Sequence, residues 1–488
     1  MSEPVPIQFG EWMPDQQALS NPGATIAENV VPALNTYQQV NSFSPAVAAS
    51  TNAALGGFTA RDKSNNVYII YGTSTDLYSV SANTLTDVTR LSGDYAAAEG
   101  EMWEFVKWDE NIIGTNFTDE IQILVLGAAN FSDLTTTPPQ ARHISIIRDF
   151  IVLGNIDDST DGLVPNRVHW SGFDNETQWV PGTNQSDYQD LKGDGGWVQR
   201  VIGGEYGVIF QERAVWRMTY VGLPAIFQFD EVEPAKGTPA PGSVVRYGRE
   251  IYYLGNDGFY VIRDGTTSQN ISAEKVTQFF FEDADKSQYF KMTSAIDTKN
   301  NLVFWAYQRN ESPSDTVNRV LVYNWVTQRW SYINTDLDIL FQSATAGYTL
   351  EELNSFGTMD TLPASLDSDL WKGGGVILAG VDANHQFGVF SGDPLTAVLE
   401  TKEVGNDYHT MFDAYRSDTE GAGSITVELL YRNSLGSTPT TSGALSPNSN
   451  GRYKFRRSAR YHRIRETIVG GFTHAIGGHI SLGPGGKR

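Results

Sequence analysis

Along most of this chain the apolar positions come in short runs rich in Val, Ile, Tyr, Phe and Trp, and Gly, Asn or Asp cuts each run within a few residues. The stretch Asn66-Val-Tyr-Ile-Ile-Tyr-Gly-Thr-Ser-Thr-Asp-Leu-Tyr-Ser-Val80 reads as two strands joined by a polar turn. Comparable runs begin at Asn111, Ile144, Gly207, Glu250, Asn301 and Val320. Their composition favours strands, because branched and aromatic side chains pack well on a pleated surface. Grouped by first strand, the runs start near Gly57, Glu104, Ile144, Val198, Val244, Met292 and Leu340. The mean step is about 47 residues, close to the length of a four-stranded propeller blade. Aromatic closing strands recur at Asp76-Leu-Tyr78, Asp257-Gly-Phe-Tyr260 and Arg329-Trp-Ser-Tyr332. Asn256-Asp257-Gly258 is a strong hairpin signal, since the turn needs positive φ and Gly takes it without steric cost. The pattern predicts an all-β chain, a β-propeller over residues 53–402.

Two flanks depart from the repeat. Residues 1–52 contain Asn21-Pro-Gly23 and a Ser/Ala/Asn-rich stretch without periodicity, which predicts an N-terminal arm or irregular wrap. Residues 403–488 carry strand-like runs at Ser424–Tyr431, Arg452–Arg457 and Phe472–Leu482, which predict a small appended β domain. Because blades closed in a ring leave few free edges, such an addition is where partners are expected to bind.

Charge sharpens this division. The 488 residues carry a formal net charge of −22, but residues 403–488 hold 11 Lys and Arg against 7 Asp and Glu, leaving 24 against 50 in residues 1–402. So acidic a body repels nucleic acid, which argues against a DNA-gripping surface there and leaves passage without gripping open. The absence of cysteine removes disulfides and thiolate metal sites and suits assembly in a reducing cytoplasm. The start MSEPVPIQFGEW lacks a basic, apolar leader, and no run is long enough to span a membrane, so a soluble protein without a membrane span is expected.

The chemistry-bearing motifs are sparse. Glycosidases need two carboxylates set across the sugar bond. The nearest match to a sialidase box, Ser171-Gly-Phe-Asp-Asn-Glu-Thr-Gln-Trp179, has the wrong spacing. Asp157-Asp-Ser-Thr-Asp-Gly162 opens like a calcium loop, but the expected bidentate acid is Val168. His474 and His479 have no third ligand nearby in sequence for zinc. Nucleotide-binding glycine motifs and the Gly-x-Ser-x-Gly elbow are absent. No enzyme, cofactor or metal site is therefore expected. Trp179, Trp197 and Trp371 are candidates for stacking on sugar rings.

One charge cluster stands out: Arg452, Lys454, Arg456, Arg457, Arg460, Arg463 and Arg465, interleaved with Tyr453, Phe455, Tyr461 and Ile464. If Arg452–Arg457 is a strand, Arg452, Lys454 and Arg456 share one face and Tyr453 and Phe455 the other. Such a face can pair with acidic patches on a neighbouring copy or another subunit, touch DNA phosphates, or simply be solvated. All seven residues are partner-contact candidates.

The order Pro22-Gly23, Leu77-Tyr78, Trp103-Glu-Phe105, Phe131-Ser-Asp133 before Pro138-Pro139, Ile144 to Leu153, Arg167-Val-His-Trp-Ser171, Phe210-Gln-Glu-Arg213, Tyr220-Val-Gly222 and Asp257-Gly-Phe259 resembles the tail nozzle, or tail-tube protein B, type of structural protein in short-tailed double-stranded DNA bacteriophages. The resemblance implies a virion tail protein assembled in the host cytoplasm as a homo-hexameric ring of propellers. It would sit below the portal and its adaptor, or head-to-tail connector, with tail fibres or spikes as further partners and genomic DNA in transit. It implies no catalytic residues, and it gives the acidic body a use as a channel wall along which DNA slides. A carbohydrate-binding or glycan-cleaving propeller at the tail tip, and a tail-tip or baseplate protein of a long-tailed phage, are the alternatives. The long loops Glu351–Trp371 and Ser434–Gly451 are candidates for partner contacts or a gate.

Overall fold

The computed structural model describes residues 4–81, 84–134, 138–312, 316–344, 357–362, 365–366 and 375–484. Five separate four-stranded antiparallel sheets follow one another along the chain. They begin at Gly56–Arg61, Glu104–Trp108, Gln140–Ile147, Val198–Ile202 and Val245–Tyr247, and are blades 1 to 5. Blade 6 comprises Thr293–Asp297, Leu302–Tyr307, Val317–Asn324 and the first half of the long strand Arg329–Ala344. The second half of that strand, from Leu337, pairs with Val376–Asp382 and opens blade 7. The seven blade starts fall within a few residues of those expected from the strand pattern. The chain is a β-propeller with an appended C-terminal β domain.

The core lies between the blades. One apolar cluster joins blades 1 and 2 through Ile70, Leu77, Trp103 and Ile112, and another joins blades 2 and 3 through Ile113, Ile144 and Leu153. The same arrangement continues round to blades 7 and 1, where Phe341 and Val381 pack with Ile69 and Tyr71. Strands buried on both faces need apolar residues on both, and this is why continuous runs such as Leu302–Tyr307 replace simple alternation.

Residues 1–52, read from the sequence as an arm or irregular wrap, contribute strands to both bodies. Ser44–Ala49 pairs with Gln386–Val389 and is the outermost strand of blade 7, so the ring closes with a strand from before blade 1. Val5–Gln8 pairs with Gly477–Pro484 in the C-terminal domain. Ile26–Glu28 lies between Ala397–Glu400 and the blade 6 strand, joining the two bodies in one continuous sheet. The appended domain thus begins at Ala397–Glu400, ahead of residue 403. These pairings join distant parts of the chain, which local periodicity cannot register. The C-terminal domain has its own core of Phe412, Tyr415, Leu429, Tyr453, Phe455 and Ile464.

Candidate functional site

Two places concentrate polar side chains that the fold alone does not require: the basic strand Tyr453–Val469 and the central channel of the propeller.

In the basic strand, Tyr453 and Phe455 are buried and Lys454 is exposed, as alternation expects. Continued alternation would then bury Arg457. Instead the register slips against Phe412 and Ala414, and Arg456 takes a left-handed backbone conformation (φ 49°). The bulge leaves Arg456, Arg457 and Ser458 all exposed. A second slip sets residues 406–409 opposite Arg460 and projects Tyr408 into solvent. Arg452, Lys454, Arg457 and Arg460 have no ion-pair partner among the described residues, and Arg456 has only the exposed Asp413 at 3.8 Å.

Arg463 and Arg465 do not belong to this face. The buried carboxylate of Glu400 pairs with Arg463 Nη1 at 2.8 Å and Arg465 Nη2 at 2.7 Å, and accepts a hydrogen bond from Thr25 Oγ1. Both guanidinium groups are engaged by this buried carboxylate, although Arg465 stays 30% exposed, and they tie the basic strand to Ala397–Glu400. Two of the seven candidates therefore act in packing, and the other five form the exposed set.

The central channel encloses about 1030 Å³ and is lined by the inner strands of all seven blades. That is the size of a small-molecule site. Among the described residues its charged lining is Arg61, Arg142, Arg200 and Arg246 against Glu101 and Glu104, an excess of arginine within an acidic body.

Three neighbouring blades meet at Glu104. It accepts from His143 Nδ1 at 2.8 Å, from Ile144 N at 3.2 Å and from Arg200 Nη1. Burial pushes its carboxyl up, but the charges of Arg200 and His143 and the hydrogen bonds outweigh it and hold the group below the usual carboxylate range. Beside it, Arg142 is clamped by Glu101 (Nη2 to Oε1, 2.7 Å) and by Asn155 Oδ1 at 2.8 Å. Its guanidinium stacks on Phe117 at 3.7 Å and lies 5.7 Å from the Trp197 ring.

The other candidates from the sequence are dispersed. Trp179 is buried, its ring edge against His169 and its Nε1 donating to the Glu176 carbonyl, so it offers no stacking face. Trp197 is 46% exposed and lines the channel. Trp371 and most of the loop Glu351–Trp371 lie outside the described residues. Asp157 to Gly162 make the turn between two strands of blade 3: Asp158 Oδ1 accepts from Thr160 N and Asp161 N, Asp161 pairs with Arg167, and Val168 is buried. His474 faces Thr36 and His479 pairs with Asp418, so the two rings serve different contacts. Among the described residues no group of three or more potential ligands is placed to hold a metal, and no helix is long and apolar enough to cross a membrane. Sequence reading missed the channel cluster because Glu101, Glu104, Arg142, Asn155 and Arg200 are spread over three blades and share no local motif.

No protein-family model and no curated protein matches the chain. Among solved structures it is similar to the extracellular domain of a hybrid two-component system from B. thetaiotaomicron, at 11% identity and TM-score 0.42, over 81% of this chain and 44% of that one. This chain thus spans under half the length of that structure. It is also similar to the WD40 domain of Neurospora crassa Pan2 (9%, TM-score 0.38, 63% and 90% of the two chains) and to BamB from Moraxella catarrhalis (9%, TM-score 0.36, 74% and 92%). The fold assignment rests on the chain's own strand order.

Proposed function

We propose that this chain is a structural subunit of a bacteriophage tail, of the nozzle type, which assembles as a hexameric ring on an adaptor and extends the path of the ejected genome. The observation that carries the reading is the exposed basic set Arg452, Lys454, Arg456, Arg457 and Arg460 on a molecule whose residues 1–402 are strongly acidic. Complementary charge of that kind steers and registers one copy against another. The order of residues that resembles tail nozzles supports the same role, as does the continuous sheet that fixes the appended domain to blade 6. In this arrangement the DNA path runs between subunits, because the channel within one propeller has the volume of a small-molecule site.

Electron microscopy of the full chain, alone and with adaptor-bearing particles that lack it, tests the reading. The expected result is a salt-sensitive ring with a hole wide enough for a duplex. The fourfold variant Arg452→Glu, Lys454→Glu, Arg457→Glu, Arg460→Glu should fold normally and fail to form the ring. Wild-type chains that stay single and never join the particles overturn the proposal.

A further inference from the structure

Two backbone irregularities in neighbouring blades converge on one side of the central channel. In blade 4 the register slips between Val198 and Arg200, leaving Gln199 outside the ladder. Gln199 and Arg200 both line the channel beside this slip. In blade 3 the register slips between Gly154 and Ile156, and Asn155 sits there with φ 58°. Its side chain is buried and bridges the blades, accepting from Arg142 Nη1 and donating to the Val198 carbonyl at 3.0 Å. Asn155 thereby fixes Arg142 against the first strand of blade 4 at the channel wall.

The groups presented there are chemically specific. Trp197 offers an exposed indole, with Arg142 fixed beside it by Glu101, Asn155 and Phe117. Arg200 has one guanidinium nitrogen on Glu104, while its Nε is shielded from solvent and has no partner. The side chain as a whole stays 28% exposed and lines the channel, so its guanidinium can meet an incoming anion. Gln199 adds an amide that can donate and accept. The described lining has two more arginines than carboxylates, and the cavity is of small-ligand size.

We propose that this side of the channel binds a ring compound bearing a carboxylate, an acidic sugar of the hexuronate class. The apolar face of the ring stacks on Trp197, the carboxylate lies on Arg200, and Gln199 and Arg142 meet the ring hydroxyls. The site does not depend on ring assembly of the protein, since every group comes from one chain.

The test is calorimetric and fluorescence titration of the full chain with glucuronate, glucose and sulfate. Glucuronate should quench Trp fluorescence and saturate with a Kd of about 1 mM or tighter. Glucose and sulfate should bind about tenfold more weakly or not at all, since each lacks one of the two recognition elements. Trp197→Ala, which removes an exposed side chain and so leaves the fold intact, should weaken glucuronate by about tenfold. Arg200→Gln should weaken it further, and if that variant does not fold, loss of affinity at raised salt reads the same contact. No saturation by about 50 mM glucuronate overturns the proposal. So does affinity unchanged in Trp197→Ala, or glucose or sulfate bound as well as glucuronate.

Discussion

Gly388 in blade 7 lies opposite Pro45 across the seam where the ring closes, in contact so close that a Cβ at Gly388 would collide with the Ser44 carbonyl oxygen. The outermost position suits Pro45, because an edge strand does not need the N–H that proline lacks.

The seam therefore needs a glycine at 388. Gly388→Ala should cost about 1–3 kcal/mol by forcing the closing strand outward. The shift in urea midpoint at unchanged slope measures it. Removing residues 1–49 should expose the blade 7 edge and promote aggregation, read by light scattering.

Glu466 is buried and is held by hydroxyls alone: it accepts from Tyr415, from Ser417 Oγ at 3.1 Å and from Thr419 Oγ1 at 3.2 Å. Burial outweighs these donors and pushes its carboxyl up to about 7. A carboxyl raised on folding binds its proton more tightly in the folded chain. Its contribution is full below the free value near 4.5 and is lost as pH rises from there through about 7. Glu466→Gln should remove a loss of roughly 3 kcal/mol, so that the variant exceeds the parent in stability at pH 8 and equals it near pH 4. Denaturation midpoints across this range decide it, and a parent with no advantage for the variant at pH 8 contradicts it.

His169 moves the stability curve at the other end. Burial pushes its imidazole down to about 4, against the pull of its bond to the Trp179 carbonyl. A base depressed on folding contributes stability above its free value near 6.5, and that contribution falls away as pH drops from 6.5 toward 4. His169→Phe should flatten that decline, and NMR titration of the imidazole should find it neutral at pH 6.

The basic strand contains arginines of two kinds. Glu400→Ala leaves Arg463 and Arg465 without their buried carboxylate and should destabilise by about 3–5 kcal/mol. Arg457→Ala, on the exposed face, should change stability by no more than about 0.5 kcal/mol. Equal effects in thermal unfolding would remove the distinction.

Trp179 and Trp197 divide in the same way. Trp179→Ala empties a packed position against His169 and should cost about 3–5 kcal/mol. Trp197→Ala should leave the melting temperature nearly unchanged, because its ring is half exposed at the channel.

Local chemistry made the propeller legible. Strand runs such as Glu250–Gly255 and the Asn256-Asp257-Gly258 turn write their backbone into three or four adjacent residues, and their recurrence gives the blade repeat. The change of charge at the C-terminal end and the exposure of Lys454 could be read for the same reason, since side-chain alternation is a local property of a strand. The register was not legible. Only in three dimensions does Ser44–Ala49 meet Gln386–Val389, does the bulge at Arg456 turn Arg457 outward, and does Glu400 claim Arg463 and Arg465. The channel cluster belongs to the same class: Glu104, His143 and Arg200 come from three blades and become a site only when the ring closes. Residue type and order determine strands, turns and net charge. Which distant charges become partners depends on strand register and ring closure, which are set by packing across the whole chain.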